Sequence, residues 1–160
     1  MKRIYKLLTL CFLITSLTSS IISVSACTVG LTPGYWKNHH CAWPSKYTPD
    51  MLFQEVFDIP DQYIGPLKGI TLDEALRLKG GRGIDGAKRI FARQVTASLL
   101  NSALFEPQWE EWTLQTGQWV FTSDDREFIL DQAKYFDESN NQGPPEGWTS
   151  PCPAKRKKCK

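Results

Sequence analysis

The sequence predicts a mainly α-helical protein, a compact single-domain bundle of about four helices with an irregular aromatic N-terminal segment and disulfide staples. Residues 86–104 place apolar side chains at three- and four-residue steps, which is the period of one helix face. Helix-start signals occur near Thr71 and Asp124. Four cysteines remain after removal of an N-terminal signal, and an even number in an exported chain indicates two disulfides.

The first two helices are predicted from their N-terminal signals. At residues 48–50, the sequence Thr-Pro-Asp supplies a hydroxyl cap, a proline for the first turn and an early carboxylate. Residues 59–69 contain two prolines and two glycines and predict a loop. A capping box follows, in which Thr71 caps the helix and Glu74 reaches back to it. This second helix is expected to end near the glycines at 80 and 81.

The third and longest helix is predicted over residues 86–104, with Arg93 and Gln94 on the side away from its apolar face. Residues 106–122 have no clear period. A fourth helix is expected to begin near Ser123, since the following aspartates favour the positive end of a helix dipole. It is expected to fray over residues 139–143.

The N-terminal 26 residues predict a secretory signal peptide. Three basic residues precede an apolar stretch at 7–17, and small residues at 24–26 suit signal peptidase. No later segment approaches the ~20 apolar residues of a membrane span. We therefore expect a signal at 1–26, a helical extracytoplasmic domain at 27–143 and a Pro-rich basic tail at 144–160. The mature protein is expected to be secreted, periplasmic or on the cell surface. The sequence leaves two alternatives for Cys27. Either it is the lipidated N-terminus of a lipoprotein, since the sequence VSAC at residues 24–27 resembles a lipobox, or it forms a disulfide.

Charge is distributed unevenly along the chain. Of the 19 Lys and Arg residues, three lie in the signal and five in the tail, which leaves 11 in the domain against 17 Asp and Glu. An acidic domain argues against nucleic acid as its ligand. The tail is expected to touch anionic envelope polymers or lipid headgroups. The basic residues predicted to do so are Lys155, Arg156, Lys157 and Lys158.

The run TPGYWKNHHCAWP at residues 32–44 resembles the opening of a family of small exported prokaryotic proteins that begin C-x-x-G-Y-W-K-N-H. The resemblance continues in residues 71–81, which match T-L-x-x-A-L-x-L-x-G-G, and in residues 92–101, which match A-R-x-x-x-A-x-L-L-N. It ends loosely at Asn140 and Gly143. Residues 106–120 depart from it, being longer and richer in tryptophan. We call Gly34, Tyr35, Trp36, Lys37, Asn38 and His39 the aromatic motif and expect it to be structural.

The resemblance implies one disulfide, and the family has no established biochemical activity. In the family a cysteine precedes the aromatic motif and another follows the last helix, which implies that Cys27 pairs with Cys152. Cys41 and Cys159 are additions to the family pattern and form the remaining pair in this interpretation.

No metal site, cofactor or catalytic set is predicted. His39 and His40 are adjacent and converge poorly on one ion, and no H-x-x-x-H or C-x-x-C completes a ligand set. Cys41 and His40 are adjacent in sequence. The cysteine and histidine of a catalytic pair are usually distant in sequence and are brought together by the fold, so this pair is not predicted to be catalytic. The neighbouring acids at 110–111 and at 124–125 diverge on a helix, whereas a glycosidase needs two carboxyls facing across a cleft.

Three tryptophans are the predicted ligand-binding residues. Trp109 and Trp112 share a face if Pro107 starts a helix, and they are flanked by acids. Trp119 follows in the same stretch. The expected function is a non-catalytic surface or envelope protein that binds an envelope glycan or surface protein, or gives structural support. The alternative is a small extracellular hydrolase of envelope polymers, with a site assembled from carboxylates distant in sequence.

Overall fold

The computed structural model describes residues 29–153, and within this range seven α-helices and three 3-10 helices follow one another with no named strand. The α-helices are α1 (Pro33–Trp36), α2 (Phe53–Val56), α3 (Asp61–Ile64), α4 (Leu72–Arg77), α5 (Gly83–Phe105), α6 (Glu110–Phe121) and α7 (Arg126–Asn140). The 3-10 helices are His40–Ala42, Gly65–Leu67 and Pro107–Trp109.

The mainly helical class is confirmed, but the predicted number of about four helices is too low. The additional helices are α1, α3 and α6. Helices α1 and α3 have four residues each, about one turn, and cannot show a repeating apolar period. Helix α6 has 12 residues and lies in the stretch 106–122, which shows no clear period in the sequence. The loop predicted at 59–69 holds α3 and a 3-10 turn. The helix signal at residues 48–50 lies in a turn, and α2 begins only at Phe53.

The long helix α5 is the centre of the fold, because α7, α4, α6 and α1 all pack against it. Phe91, Val95 and Leu99 are fully buried along it. The helix is buried on more than its apolar face, which corrects the expected outward position of Gln94. Its side chain is buried because Gln94 Nε2 donates to Asp137 Oδ1 at 2.7 Å and Gln94 Oε1 accepts from Asn140 Nδ2 at 3.1 Å.

Two predicted helix starts are confirmed by their caps. The Thr71 hydroxyl accepts from the Glu74 backbone N–H at 3.2 Å, and the Glu74 carboxylate accepts from the Thr71 N–H at 2.8 Å. At α7 the Asp125 carboxylate accepts from the backbone N–H groups of Glu127 and Phe128. These side chains satisfy backbone donors that would otherwise lack partners in the first turn.

Helix α6 packs between α5, α7 and the segment that follows α2. Where α6 packs against the segment that follows α2, Gly117 faces the ring of Phe57. A Cβ on Gly117 would lie 2.4 Å from a Phe57 ring carbon. A side chain at this position therefore has no room. The close approach places residues 56–58 directly beside α6.

The packed domain extends beyond the predicted boundary at residue 143. Residues 144–153 lie against it, with the Trp148 ring 5.5 Å from Phe105 and 5.9 Å from Tyr35. The Tyr35 and Ser150 hydroxyls share a hydrogen bond. The first part of the predicted tail is therefore packed on the domain, because Trp148 has an aromatic site to occupy. The predicted signal peptide, Cys27 and the basic residues from Lys155 onward lie outside the described residues. None of the helices within 29–153 combines the length and the apolar character that membrane crossing requires.

Candidate functional site

The aromatic motif lies in α1 and anchors the N-terminal segment to the core. The Thr32 hydroxyl caps α1 by accepting from the Tyr35 N–H at 3.1 Å. Trp36 is 0% exposed, and its indole Nε1 donates to Asn101 Oδ1 on α5 at 3.0 Å. A buried indole needs such a partner for its N–H. Trp36 therefore lies in the core and is not accessible to a ligand.

A buried amide network fixes this segment in place. Asn101 Oδ1 also accepts from the Leu31 N–H at 2.8 Å, and Asn101 Nδ2 donates to the Leu31 carbonyl at 3.0 Å and to Asn140 Oδ1 at 2.8 Å. Asn140 on α7 receives a further hydrogen bond from Ser98. Gly30 and Gly143 are joined by two backbone hydrogen bonds beside the network. The residues that carry the family resemblance, Trp36, Asn101, Asn140 and Gly143, thus meet in one structural network.

The two histidines have different partners. The His39 ring stacks on Tyr35 with centroids 4.1 Å apart, and its Nδ1 donates to the Tyr35 carbonyl at 2.8 Å. His40 Nε2 instead donates to Asp73 Oδ1 on α4 at 2.8 Å. Arg77 also donates to Asp73. Burial raises the pKa of Asp73, but the hydrogen bonds from Arg77 and His40 outweigh it and hold that pKa below its ordinary value. His39 therefore braces the aromatic motif internally, and His40, the residue that follows the motif, links this segment to α4.

The disulfide in the described part of the chain joins Cys41 to Cys152. The pairing implied by the family resemblance, Cys27 with Cys152 and Cys41 with Cys159, is therefore wrong. The reason lies in the fold: Trp148 packs beside Tyr35 and brings the following residues to the 3-10 turn that contains Cys41. The Cα atoms of the two cysteines are 5.4 Å apart, which is within the normal range for a disulfide.

The three predicted ligand-binding tryptophans have different surroundings. Trp112 is half-buried, with its ring centroid 5.7 Å from Phe136 and 6.0 Å from Tyr135, so it packs against the core. Trp109 is also half-buried and lies 6.2 Å from Trp112. Trp119 is 59% exposed and rests edge-on against Phe128 of α7 at 5.0 Å. Of these three tryptophans, only Trp119 has a side chain that is mostly exposed to solvent.

The neighbouring acids at the start of α6 diverge. Glu110 accepts hydrogen bonds from Lys46 and from the buried Tyr47. Burial raises the pKa of Glu110, but these two hydrogen bonds outweigh it and the net shift is downward. The pKa of Tyr47 is raised, first by burial and then by its bond to Glu110. Glu111 faces the exposed side of α6, where its carboxylate accepts from Gln115 at 2.8 Å. Glu110 therefore holds residues 46–47 in place, while Glu111 remains at the surface.

A groove of about 200 Å³ lies between α6 and the residues that follow α2. Its lining includes the apolar Val56, Phe57 and Leu114 and the polar Asp58, Glu111, Gln115 and Gln118. Glu111, Gln115 and Trp119 are spaced by four residues, so they form one row along the exposed side of α6. This spacing is visible in the sequence. The position of Asp58 beside α6 is not visible in the sequence, because Asp58 reaches this helix only through the packing of Phe57 on Gly117.

Comparison with known proteins assigns no family: no protein-family model matches this chain, and no curated protein or solved structure matches it significantly.

Proposed function

We propose that this chain is an exported, non-catalytic protein of the cell surface or envelope that binds a glycan through the exposed side of α6. The observation that carries the proposal is the 59% exposure of Trp119. A single exposed apolar residue is common, but Trp119 lies beside Phe128 and at the end of a row of polar side chains. An open aromatic ring next to fixed hydrogen-bonding groups is suited to the alternating CH faces and hydroxyls of a sugar.

The disulfide supports the extracytoplasmic part of the proposal. Disulfides persist in oxidising compartments such as the periplasm and the cell exterior and are rare in the cytosol. The Cys41–Cys152 bond closes a sequence separation of 111 residues. It agrees with the export signal predicted from residues 1–26.

Rigid support favours recognition at this surface. Helix α6 is packed against α5 and α7, so the row on its outer side has a fixed backbone. Gln118 Nε2 donates to the Asp58 carbonyl at 2.6 Å and to its Oδ2 at 3.0 Å, which holds residues 56–58 against the helix. Side chains ordered before binding lose less conformational entropy when the ligand arrives.

The first test is binding of the Trp119→Ala variant to insoluble peptidoglycan, chitin and cellulose in a sedimentation assay. Because truncation of a central aromatic contact typically costs about 2 kcal/mol or more, we expect at least roughly a 30-fold loss of affinity. The thermal midpoint should change little, since the ring is mostly exposed.

Met51→Ala is the matched control, because Met51 is the other exposed large apolar residue of the described range and is 37% exposed. It lies outside the row on α6 and should leave binding unchanged. Equal binding by the wild type and Trp119→Ala, or binding by neither to any of the three polymers, would refute a glycan site at Trp119.

A further inference from the structure

Residues 144–153, which we call the strap, follow α7 and lie across the aromatic motif. The Trp148 ring contacts Tyr35 at 5.9 Å and Phe105 at 5.5 Å, and its side chain is half-buried. The Ser150 hydroxyl shares a hydrogen bond with the Tyr35 hydroxyl at the surface. The strap therefore covers part of the aromatic motif with one ring and one polar contact.

The backbone of the strap is separate from the hydrogen-bond pattern of the domain. Two backbone hydrogen bonds join Gly30 to Gly143, just before the strap begins. Beyond them, no backbone hydrogen bond connects the strap to residues 29–142 in the part of the chain that the structure describes. The Trp148 N–H donates to the Pro145 carbonyl inside the strap itself, at 3.1 Å. A segment with so few attachments costs little free energy to open locally.

The helical core is complete without the strap. The largest fully buried side chains lie between residues 36 and 136, so none of them belongs to the strap. Trp148 and Cys152 pack against this core from outside and are only half-buried. The aromatic motif beneath the strap has its own attachment, the Trp36 indole that donates to Asn101. Opening of the strap should therefore leave the helices packed.

The Cys41–Cys152 bond is the covalent attachment of the strap, and it can be reached from solvent. Cys41 is exposed, whereas Cys152 is half-buried. A thiolate of an external dithiol therefore reaches the sulfur of Cys41 more easily than that of Cys152.

Reduction by a dithiol takes two exchange steps. The first thiolate attacks Cys41 Sγ, forms a mixed disulfide there and expels Cys152 as a thiolate, which takes up a proton. The second thiol of the reagent then attacks the reagent sulfur bonded to Cys41, which leaves as a thiolate and is protonated. The dithiol loses two electrons and two protons and becomes a disulfide, and the protein gains two thiols.

We infer that the Cys41–Cys152 bond is a redox-sensitive latch, whose reduction by a dithiol releases the strap while the helical core stays folded. The released state exposes Trp148 and the side of the aromatic motif that the strap covers. Contiguous exposed apolar patches mark interaction surfaces, so the latch controls access to this one. The inference goes beyond the proposed function and uses none of the residues on α6.

The test is limited proteolysis of the full chain with chymotrypsin, which cleaves after Trp148 once the strap is free. Oxidised wild type is compared with dithiothreitol-reduced wild type and with the double variant Cys41→Ser, Cys152→Ser, all alkylated and without denaturant. Because cleavage follows the population of the opened segment, we expect it to be at least about tenfold faster at Trp148 in both disulfide-free forms. The circular dichroism of the helices should be unchanged, and the buried Phe91 and Phe121 should stay uncut.

Tyr35→Phe is the matched control, because it removes the hydroxyl partner of Ser150 but keeps the ring and the disulfide. In its oxidised form, cleavage at Trp148 should be as slow as in oxidised wild type. Fast cleavage of oxidised Tyr35→Phe would overturn the inference, since the hydroxyl contact would then hold the strap.

Two further outcomes would overturn the latch. One is an equal rate of cleavage at Trp148 in the oxidised and disulfide-free forms, because the position of the strap would then not depend on the bond. The other is loss of the helical signal together with cleavage inside α5, since the bond would then hold the whole domain. Neither outcome affects Trp119, whose glycan binding is decided by the sedimentation assay.

Discussion

Replacing Trp36 with alanine is expected to lower the free energy of unfolding by about 3 to 5 kcal/mol, the range for truncation of a buried aromatic side chain. The ring is 0% exposed and contacts Tyr35 edge-on at 5.4 Å. Its removal leaves a cavity where α1 packs on α5. It also removes the indole donor to Asn101, whose oxygen then keeps only the Leu31 N–H as a partner. Urea unfolding followed by circular dichroism measures the change.

Two variants separate the contributions to this effect. Trp36→Phe keeps most of the apolar contact but removes the N–H, and its cost should be clearly smaller than that of alanine. Trp119→Ala removes the same kind of side chain from an exposed position and should cost less than ~1 kcal/mol. A Trp36→Ala protein with wild-type stability would contradict the buried role assigned to the aromatic motif.

Loss of the Cys41–Cys152 bond is expected to be the other large effect. In the chain-entropy model, a cross-link over about 100 residues stabilises by roughly 4 to 5 kcal/mol, and this one spans 111 residues in sequence. The double variant Cys41→Ala, Cys152→Ala should therefore unfold at a much lower urea concentration than the oxidised wild type. Replacing both cysteines avoids leaving a free thiol that could form a wrong disulfide.

Non-reducing peptide mapping of the wild type checks the connectivity itself. A peptide pair containing Cys41 and Cys152 is expected. Detection of Cys152 bonded to Cys27 or to Cys159 would contradict the structure. An unchanged urea midpoint in the double variant would show that the bond adds little to stability, even where the mapping agrees.

Local signals predicted those elements whose structure is determined locally. The capping box at Thr71 and Glu74 and the acidic cap of α7 are side-chain to backbone contacts within three residues, and both occur as expected. The apolar period of α5 is long enough to be recognised. The helix predicted after residue 50 occurs as α2 but begins only at Phe53, whose N–H donates to the Ile70 carbonyl of a distant segment. The four-residue helices α1 and α3 are too short to show an apolar period. Helix α6 has no clear period, because its tryptophans lie among polar residues.

The candidate site was predicted only in part, for a similar reason. The sequence marked residues 106–122 as unusual, and Trp119 lies there. It could not distinguish Trp119 from Trp112, because the difference arises from the way α7 packs: Phe136 covers Trp112, while Phe128 supports only an edge of Trp119. The disulfide partners and Asp58 likewise come together only through tertiary packing.

The most direct test of the central claim, that Trp119 is the ligand-contacting ring, is hydroxyl-radical footprinting read by mass spectrometry. The full chain is labelled alone and with a soluble glucosamine hexamer or its N-acetylated form. We predict strong labelling of Trp119 in the free protein, loss of that labelling with at least one hexamer, and no labelling of Trp36 in either state. Labelling of Trp119 that neither hexamer reduces, or protection at Trp109 with Trp119 unchanged, would contradict the account.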